Sequence, residues 1–263
     1  MTFLLTHLDD ETNCRRNFQG HAAQPNTSTQ STLEAAIEFW DNHSRFHQSM
    51  VDKYWRLIEL GITQCDYCHT SSYNFRTVDM ITPSMGDVDM SLEKALAGHV
   101  GSNVLDDYVC NTCKVPRKAT TRLCYPRMPS LLCISFNRFG YSRGDVSKST
   151  ASITWDLNSV DLAPYFLRPE ACTLSRDTDD KAFKGQFRYE CFAVVEHMGR
   201  TANSGHYTAY VRDPRTHDPS AWLLCNDSKI SKVRMDNPEN RQKLFKDSDR
   251  VPYLAVFRRK FGS

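Results

Sequence analysis

The sequence predicts an α+β protein, helical at its start and mostly antiparallel sheet after it. Three observations carry this. Apolar residues recur near helical spacing through the first sixty positions. From Ile62 onward short runs rich in aromatic and β-branched residues replace that spacing. Two Cys-x-x-Cys pairs, Cys65/Cys68 and Cys110/Cys113, flank the first of these runs.

The elements follow in order. Phe3, Leu4, Leu5 and Leu8 form one apolar face of a helix, with no capping residue ahead of it. The polar stretch from His21 to Ser31 reads as a loop or flexible insertion. Ser31 and Glu34 fit a capping box that opens a long helix. Leu33, Ile37, Trp40, Val51, Trp55 and Ile58 continue it, interrupted by a polar stretch around Asn42 to His47, and Gly61 is its expected stop. Leu131 to Phe136, bounded by Pro129 and Asn137, suits a buried strand. Tyr189 to Glu196, Tyr207 to Val211, Trp222 to Cys225 and Tyr253 to Phe257 also read as strands. Between Ser142 and Gly185, Pro164, Pro169 and the acidic run Asp177 to Asp180 point to loops. There is no internal repeat.

The chain has 263 residues, 40% apolar and 24% charged, enough for one large domain or two small ones. Its formal net charge is only +2 and the charges are interspersed, so neither nucleic acid nor a membrane surface is expected as a partner. No apolar run has the length of a membrane span, and the start lacks the basic region of a signal peptide. A cytoplasmic or nuclear location is therefore expected. In that reducing setting, paired Cys-x-x-Cys points to metal binding rather than to disulfides.

The cysteine quartet is the strongest motif. A two-residue gap lets both thiolates of a knuckle face one ion, and two knuckles complete the closed Cys₄ shell of a structural zinc site. The other six cysteines (Cys14, Cys124, Cys133, Cys172, Cys191, Cys225) read as small buried hydrophobes.

The second feature is the hairpin formed by Asn203 to Arg212 and Ala221 to Ser228. Pairing Arg212 with Ala221 places His206 opposite Asp227 and next to Asn226, and a slip of one residue leaves either as its partner. An imidazole with an amide or carboxylate behind it is the base-and-orienter half of a nucleophilic triad. Gly205 is expected to leave the approach to the ring open. His197 and His217 lack such a partner and read as structural.

Ser204-Gly-His-Tyr-Thr-Ala-Tyr210 resembles the histidine box of the ubiquitin-specific proteases, the papain-like deubiquitinases. Trp222 through Asn226-Asp-Ser228 resembles that family's closing box. The two knuckles are similar to the zinc pairs of its fingers region, and Pro129 to Phe139 to the strand that follows. The likeness runs in order from about Met1 to Phe261. It implies a papain-like fold with fingers and palm and with the thumb largely missing. It divides the chain into a helical remnant with a polar insertion (1–60), zinc-binding fingers (61–130) and a β-rich palm (131–263). By this likeness His206 is the general base, Asn226 orients it, Asp227 supports it, and Gly205 and Tyr207 lie near the channel for the ubiquitin tail. The implied reaction is thiol-dependent hydrolysis of the isopeptide bond after ubiquitin's last glycine, with zinc as a structural cofactor and ubiquitin or ubiquitinated proteins as partners.

The family's Gly-Asn-Thr-Cys box and the Gln-containing box after it are absent, and the opening residues resemble the tail of the latter. Whether this chain is itself an enzyme is therefore open. It reads as a fragment of an active deubiquitinase or, alternatively, as an inactive ubiquitin-binding pseudoenzyme. A zinc-ribbon module for nucleic acid fits less well, for want of a basic patch. Cys14, in Asn13-Cys-Arg-Arg16, is the nearest substitute thiol by position but lacks a glycine-flanked helix start.

Overall fold

The structure is a computed structural model that describes residues 2–18, 20–28, 30–142, 145–166, 180–199, 205–247 and 250–260. The chain divides into two compact units, each assembled from separated stretches. Cys172, Ser204, Phe261 and most of the acidic run 177–180 lie outside the described residues.

The first unit comprises Met1–Met80, Val100–Ser130 and Leu162–Phe187. It begins with α1 (Thr2–Thr12), in which Leu5 is buried while Phe3, Leu4 and Leu8 are exposed. The predicted long helix is two helices, α2 (Thr32–Phe46) and α3 (Met50–Tyr54), followed directly by strand β1 (Leu57–Cys65). Both arms of the predicted capping box at Ser31 and Glu34 are made, which stabilises such a helix by roughly 1 kcal/mol. Helix α2 ends at His47 because Ser49 starts a new box with Asp52, giving the backbone an alternative to helical bonding.

Ile58 and Gly61, expected in the helix, belong to β1. The spacing of Val51, Trp55 and Ile58 matches a helix only by coincidence. Ile58, Leu60 and Ile62 alternate onto one face of the strand and pack with Leu33, Ala36, Ile37 and Phe39 of α2. Each fully buried Ile or Leu here stabilises the fold by roughly 1.5–3 kcal/mol. Strand β1 pairs on one side with β2 (Ser71–Val78) and on the other with β5 (Pro116–Arg127), and β4 (Asn103–Val109) completes an antiparallel sheet of order β2-β1-β5-β4.

The second unit comprises Ile81–His99, Leu131–Asp161 and Arg188–Ser263. Its main sheet runs β14 (Lys229–Arg234), β13 (Ala221–Asn226), β12 (His206–Arg212), β11 (Arg188–Met198), β15 (Arg250–Arg259), β6 (Leu131–Ser135), with β10 (Val160–Asp161) also on β11. All five predicted strands from Leu131 onward are present, each with slightly different ends. A short parallel pair joins β3 (Met90–Ser91), which leads into α4 (Leu92–Val100), to β9 (Ile153–Thr154), and β7 (Phe139–Ser142) pairs with β8 (Asp145–Lys148). Helix α5 (Pro238–Phe245) has Asn237 as N-cap and Pro238 in its first turn. Its Phe245 meets Trp155, which also lies against Phe136 and Phe257. The outer strand β14 is largely exposed and carries Lys229, Lys232 and Arg234, charges that discourage edge-to-edge pairing.

Candidate active site

The hairpin β12–β13 pairs Arg212 with Trp222 and Ala209 with Cys225. This is one residue away from the register expected from the sequence. A one-residue slip exchanges faces, and here it decides between the two candidate partners. Cys225 falls opposite Ala209, so Asn226 shares the face of Thr208 and His206. The ring Nε2 of His206 lies 2.6 Å from Asn226 Oδ1. An amide oxygen only accepts, so Nε2 carries the proton and Nδ1 keeps its lone pair in the neutral ring. Asp227 Oδ2 is 4.0 Å from the same nitrogen, with its side chain 80% exposed. Its positive φ of 51° turns the chain into β14. The site therefore holds a half-exposed imidazole fixed from behind by an amide, with Asp227 near but not bonded.

Gly205 packs closely against a second histidine. A Cβ there would stand 2.2 Å from His197 Nε2 and 2.4 Å from the Met198 carbonyl. The glycine therefore permits close packing against His197. His197 is structural, as expected: its buried ring is within 4.7 Å of Tyr207 and 6.1 Å of Tyr253, centroid to centroid. Lys148 Nζ donates to the His197 and Gly199 carbonyls. Tyr207 is itself half exposed beside this group.

Glu196 was missed by sequence reasoning. It is completely buried, pairs across the sheet with Thr208, and accepts from Thr208 Oγ1 at 3.0 Å. Burial pushes its carboxyl up to about 7. The signal was available: the two-residue period of a strand puts Glu196 on the face of Val194, and that face is core.

In the first unit the four sulfurs of Cys65, Cys68, Cys110 and Cys113 lie within 4.8 Å of one another. The two knuckles are built alike. His69 N donates to Cys65 O and Lys114 N to Cys110 O, each at 2.8 Å. Both donors have positive φ, 57° and 60°. Cys113 N also points at Cys110 Sγ, at 3.5 Å. The Thr70 hydroxyl bonded to Cys68 holds its thiol down at about 6, while burial and the neighbouring sulfurs push Cys113 up to about 12. Four sulfurs gathered within 4.8 Å match the closed Cys₄ shell of a divalent cation, which would take them as thiolates, so the residues fit a metal.

A second group was not expected. His43, His47 and Asp52 offer ligand atoms that also lie within 4.8 Å of one another. Of the remaining cysteines, Cys133 and Cys191 are buried and Cys124 and Cys225 half-buried, but Cys14 is exposed, against expectation. Its sulfur donates to the Gln48 carbonyl at 3.3 Å, while Arg16 turns to the Asp10 carbonyl and Arg15 lies over Phe18. Among the described residues no cysteine bonds to His206.

The family description of ubiquitin carboxyl-terminal hydrolase matches residues 1–254. The chain belongs to this family. Human ubiquitin carboxyl-terminal hydrolase 27 is 29% identical over 137 residues, which is 51% of this chain and 30% of that protein. Chicken ubiquitin carboxyl-terminal hydrolase 2 is 26% identical over 204 residues, 75% of this chain and 52% of that protein. The chain thus spans 30% of the first of these relatives and 52% of the second. Among solved structures, the Ubp8-containing SAGA DUB module bound to monoubiquitin superposes with a TM-score of 0.62 at 18% identity, covering 82% of this chain and 43% of that one. The fold is the papain-like one of the ubiquitin-specific proteases. No helix among the described residues is long and apolar enough to cross a membrane.

Proposed function

We propose that the chain serves the hydrolysis of ubiquitin isopeptide bonds, supplying the base half of a thiol-dependent centre. The observation that carries this is the 2.6 Å bond from His206 Nε2 to Asn226 Oδ1 in a chain of this family. The amide fixes the tautomer, so that Nδ1 can take the proton of an incoming thiol and return it to the leaving lysine amine. Asp227, close and exposed, assists Asn226. Tyr207 and the strand end at Gly205 flank the path of the ubiquitin tail. The Cys65/Cys68/Cys110/Cys113 quartet holds a structural zinc ion that ties the ends of β1 and β5 together, within a fingers region at 61–130.

The thiolate comes from a Gly-Asn-Thr-Cys-type segment that this sequence does not contain. The second reading is an inactive protein that binds ubiquitin without cleaving it. Three measurements separate them. Titration with ubiquitin should saturate; no binding would sink both readings. Ubiquitin carrying a C-terminal electrophile should leave this chain unlabelled, and a covalent adduct at Cys14 or any other cysteine here would overturn the assignment of the thiol. If the reading frame upstream of Met1 encodes the cysteine segment, the extended protein should cleave a ubiquitin amide, and His206→Ala should slow it by about 10²–10⁴-fold. Binding without cleavage by that protein leaves the second reading.

A further inference from the structure

The boundary of α2 and α3 carries a cluster that the ubiquitin chemistry does not use. His43 and His47 stand four residues apart on the last turn and cap of α2, and Asp52 faces them from the first turn of α3. His43 Nε2 is 2.9 Å from Asp52 Oδ1, and His47 Nδ1 is 2.6 Å from Asp52 Oδ2. We infer that His43 Nε2, His47 Nδ1 and the Asp52 carboxylate form a second metal site, a His₂Asp site for a first-row divalent cation such as zinc, separate from the cysteine quartet.

Three features beyond proximity support it. The first is the outer shell. His47 Nε2 lies 3.4 Å from Asp9 Oδ2, so the ring presents one nitrogen to Asp52 and the other to a second carboxylate. Carboxylate–histidine–metal chains have this arrangement, the outer carboxylate fixing the ring and raising its basicity. The second is rigidity of the carboxylate. Asp52 accepts from Ser49 N at 3.0 Å and from Arg56 Nε at 3.1 Å, which holds it in place and still leaves a lone pair toward each ring.

The third is charge. Asp9, Asp52 and Asp79 all face the single guanidinium of Arg56. Three carboxylates thus stand around one guanidinium, with Arg127 Nη2 at 3.3 Å from the Asp52 carbonyl as a further cation, and this surplus of negative charge favours a metal cation. Three protein ligands with the remaining positions open to solvent is the pattern of an accessible rather than a closed site. His47 and Asp52 line a cavity of about 440 Å³ that also includes Cys14 and Trp40.

The test is a metal titration of the whole chain, stripped of metal beforehand. Zinc should bind in two equivalents. Cobalt(II) in the second should lack the thiolate-to-metal charge-transfer band that the first shows. His43→Gln with His47→Gln should abolish the second equivalent and keep the first, and Cys65→Ser with Cys110→Ser should do the reverse. Should the histidine pair fail to fold, Asp9→Asn keeps the ligands and should weaken the second equivalent about 10–100-fold. A single equivalent in the unmutated chain would overturn the site and leave a proton-binding cluster. A second equivalent that persists in both the histidine and the Asp9 variants would place the metal elsewhere and also overturn it.

Discussion

An added Cβ at Gly205 would lie 2.2 Å from the buried ring of His197. Gly205→Ala should therefore destabilise the second unit by about 1–3 kcal/mol, as overpacking does. That is a fall of several degrees in melting temperature, at roughly 2–4 °C per kcal/mol for a chain of this size. A variant that melts with the parent would show that His197 swings aside at little cost. Two positions further into the sheet, Glu196 supports a prediction of pH dependence. The folded carboxyl titrates at about 7, against an ordinary 4.5. Between those values the folded chain holds a proton that the unfolded chain has released. Raising the pH through this window favours unfolding, and the stabilisation present below it is lost as the pH passes about 7. Arg250 opposes the shift and Asp247 adds to it. Glu196→Gln keeps an acceptor for Thr208 and cannot ionise. Its advantage over the parent should be small near pH 5 and grow toward pH 9, by up to about 3 kcal/mol. An advantage that stays constant with pH, measured by denaturant unfolding, would remove Glu196 as the cause.

Among the elements, what the sequence made legible follows the range of the forces involved. The capping box at Ser31 and Glu34 is a contact between residues three apart and was readable directly. So were β6 and β11, where β-branched and aromatic residues crowd one short run. The start of β1 was not readable, because local spacing allowed Ile58 to continue a helix. Pairing with Arg127 of β5 and Thr77 of β2, residues far along the chain, decides otherwise. The hairpin register was missed by one residue for a related reason. It is set by the link between β12 and β13, where Asp213 N bonds to Ala221 O and the Asp218 carboxylate accepts from Ser220. These turns fix which residues can face each other, and composition does not reveal them. The cysteine knuckles were legible because their spacing is itself the geometry. The His43–His47–Asp52 group was only half so: the histidine spacing is visible in sequence, but the third member arrives by way of the break after His47.

At the scale of the whole molecule, the two units rest on different supports. The second has an extended sheet with aromatic side chains packed around Trp155. The far end of the first sheet has little core: β4 is almost wholly exposed, with Val104 and Val109 open to solvent. The quartet stands at that end, Cys65 closing β1 and Cys110 following β4, so the metal proposed there would add a tie beside the strand pairing. Metal binding of this kind contributes directly to folding. Chelation should therefore act locally. Amide hydrogen exchange should quicken in β4 and at the knuckle ends of β1, β2 and β5, where few apolar contacts remain to hold the strands. Exchange in β11, β12 and β15 should not change, because no residue of the quartet lies in their unit. Helix α2 should be protected more than β4, since Leu33, Ile37 and Phe39 pack on β1 without help from the cysteines. Any slowing or quickening confined to His43 through Asp52 would report the histidine site instead. Uniform loss of protection through both units would show that the metal supports the chain globally. Unchanged exchange in β4 would show that the knuckles hold without it.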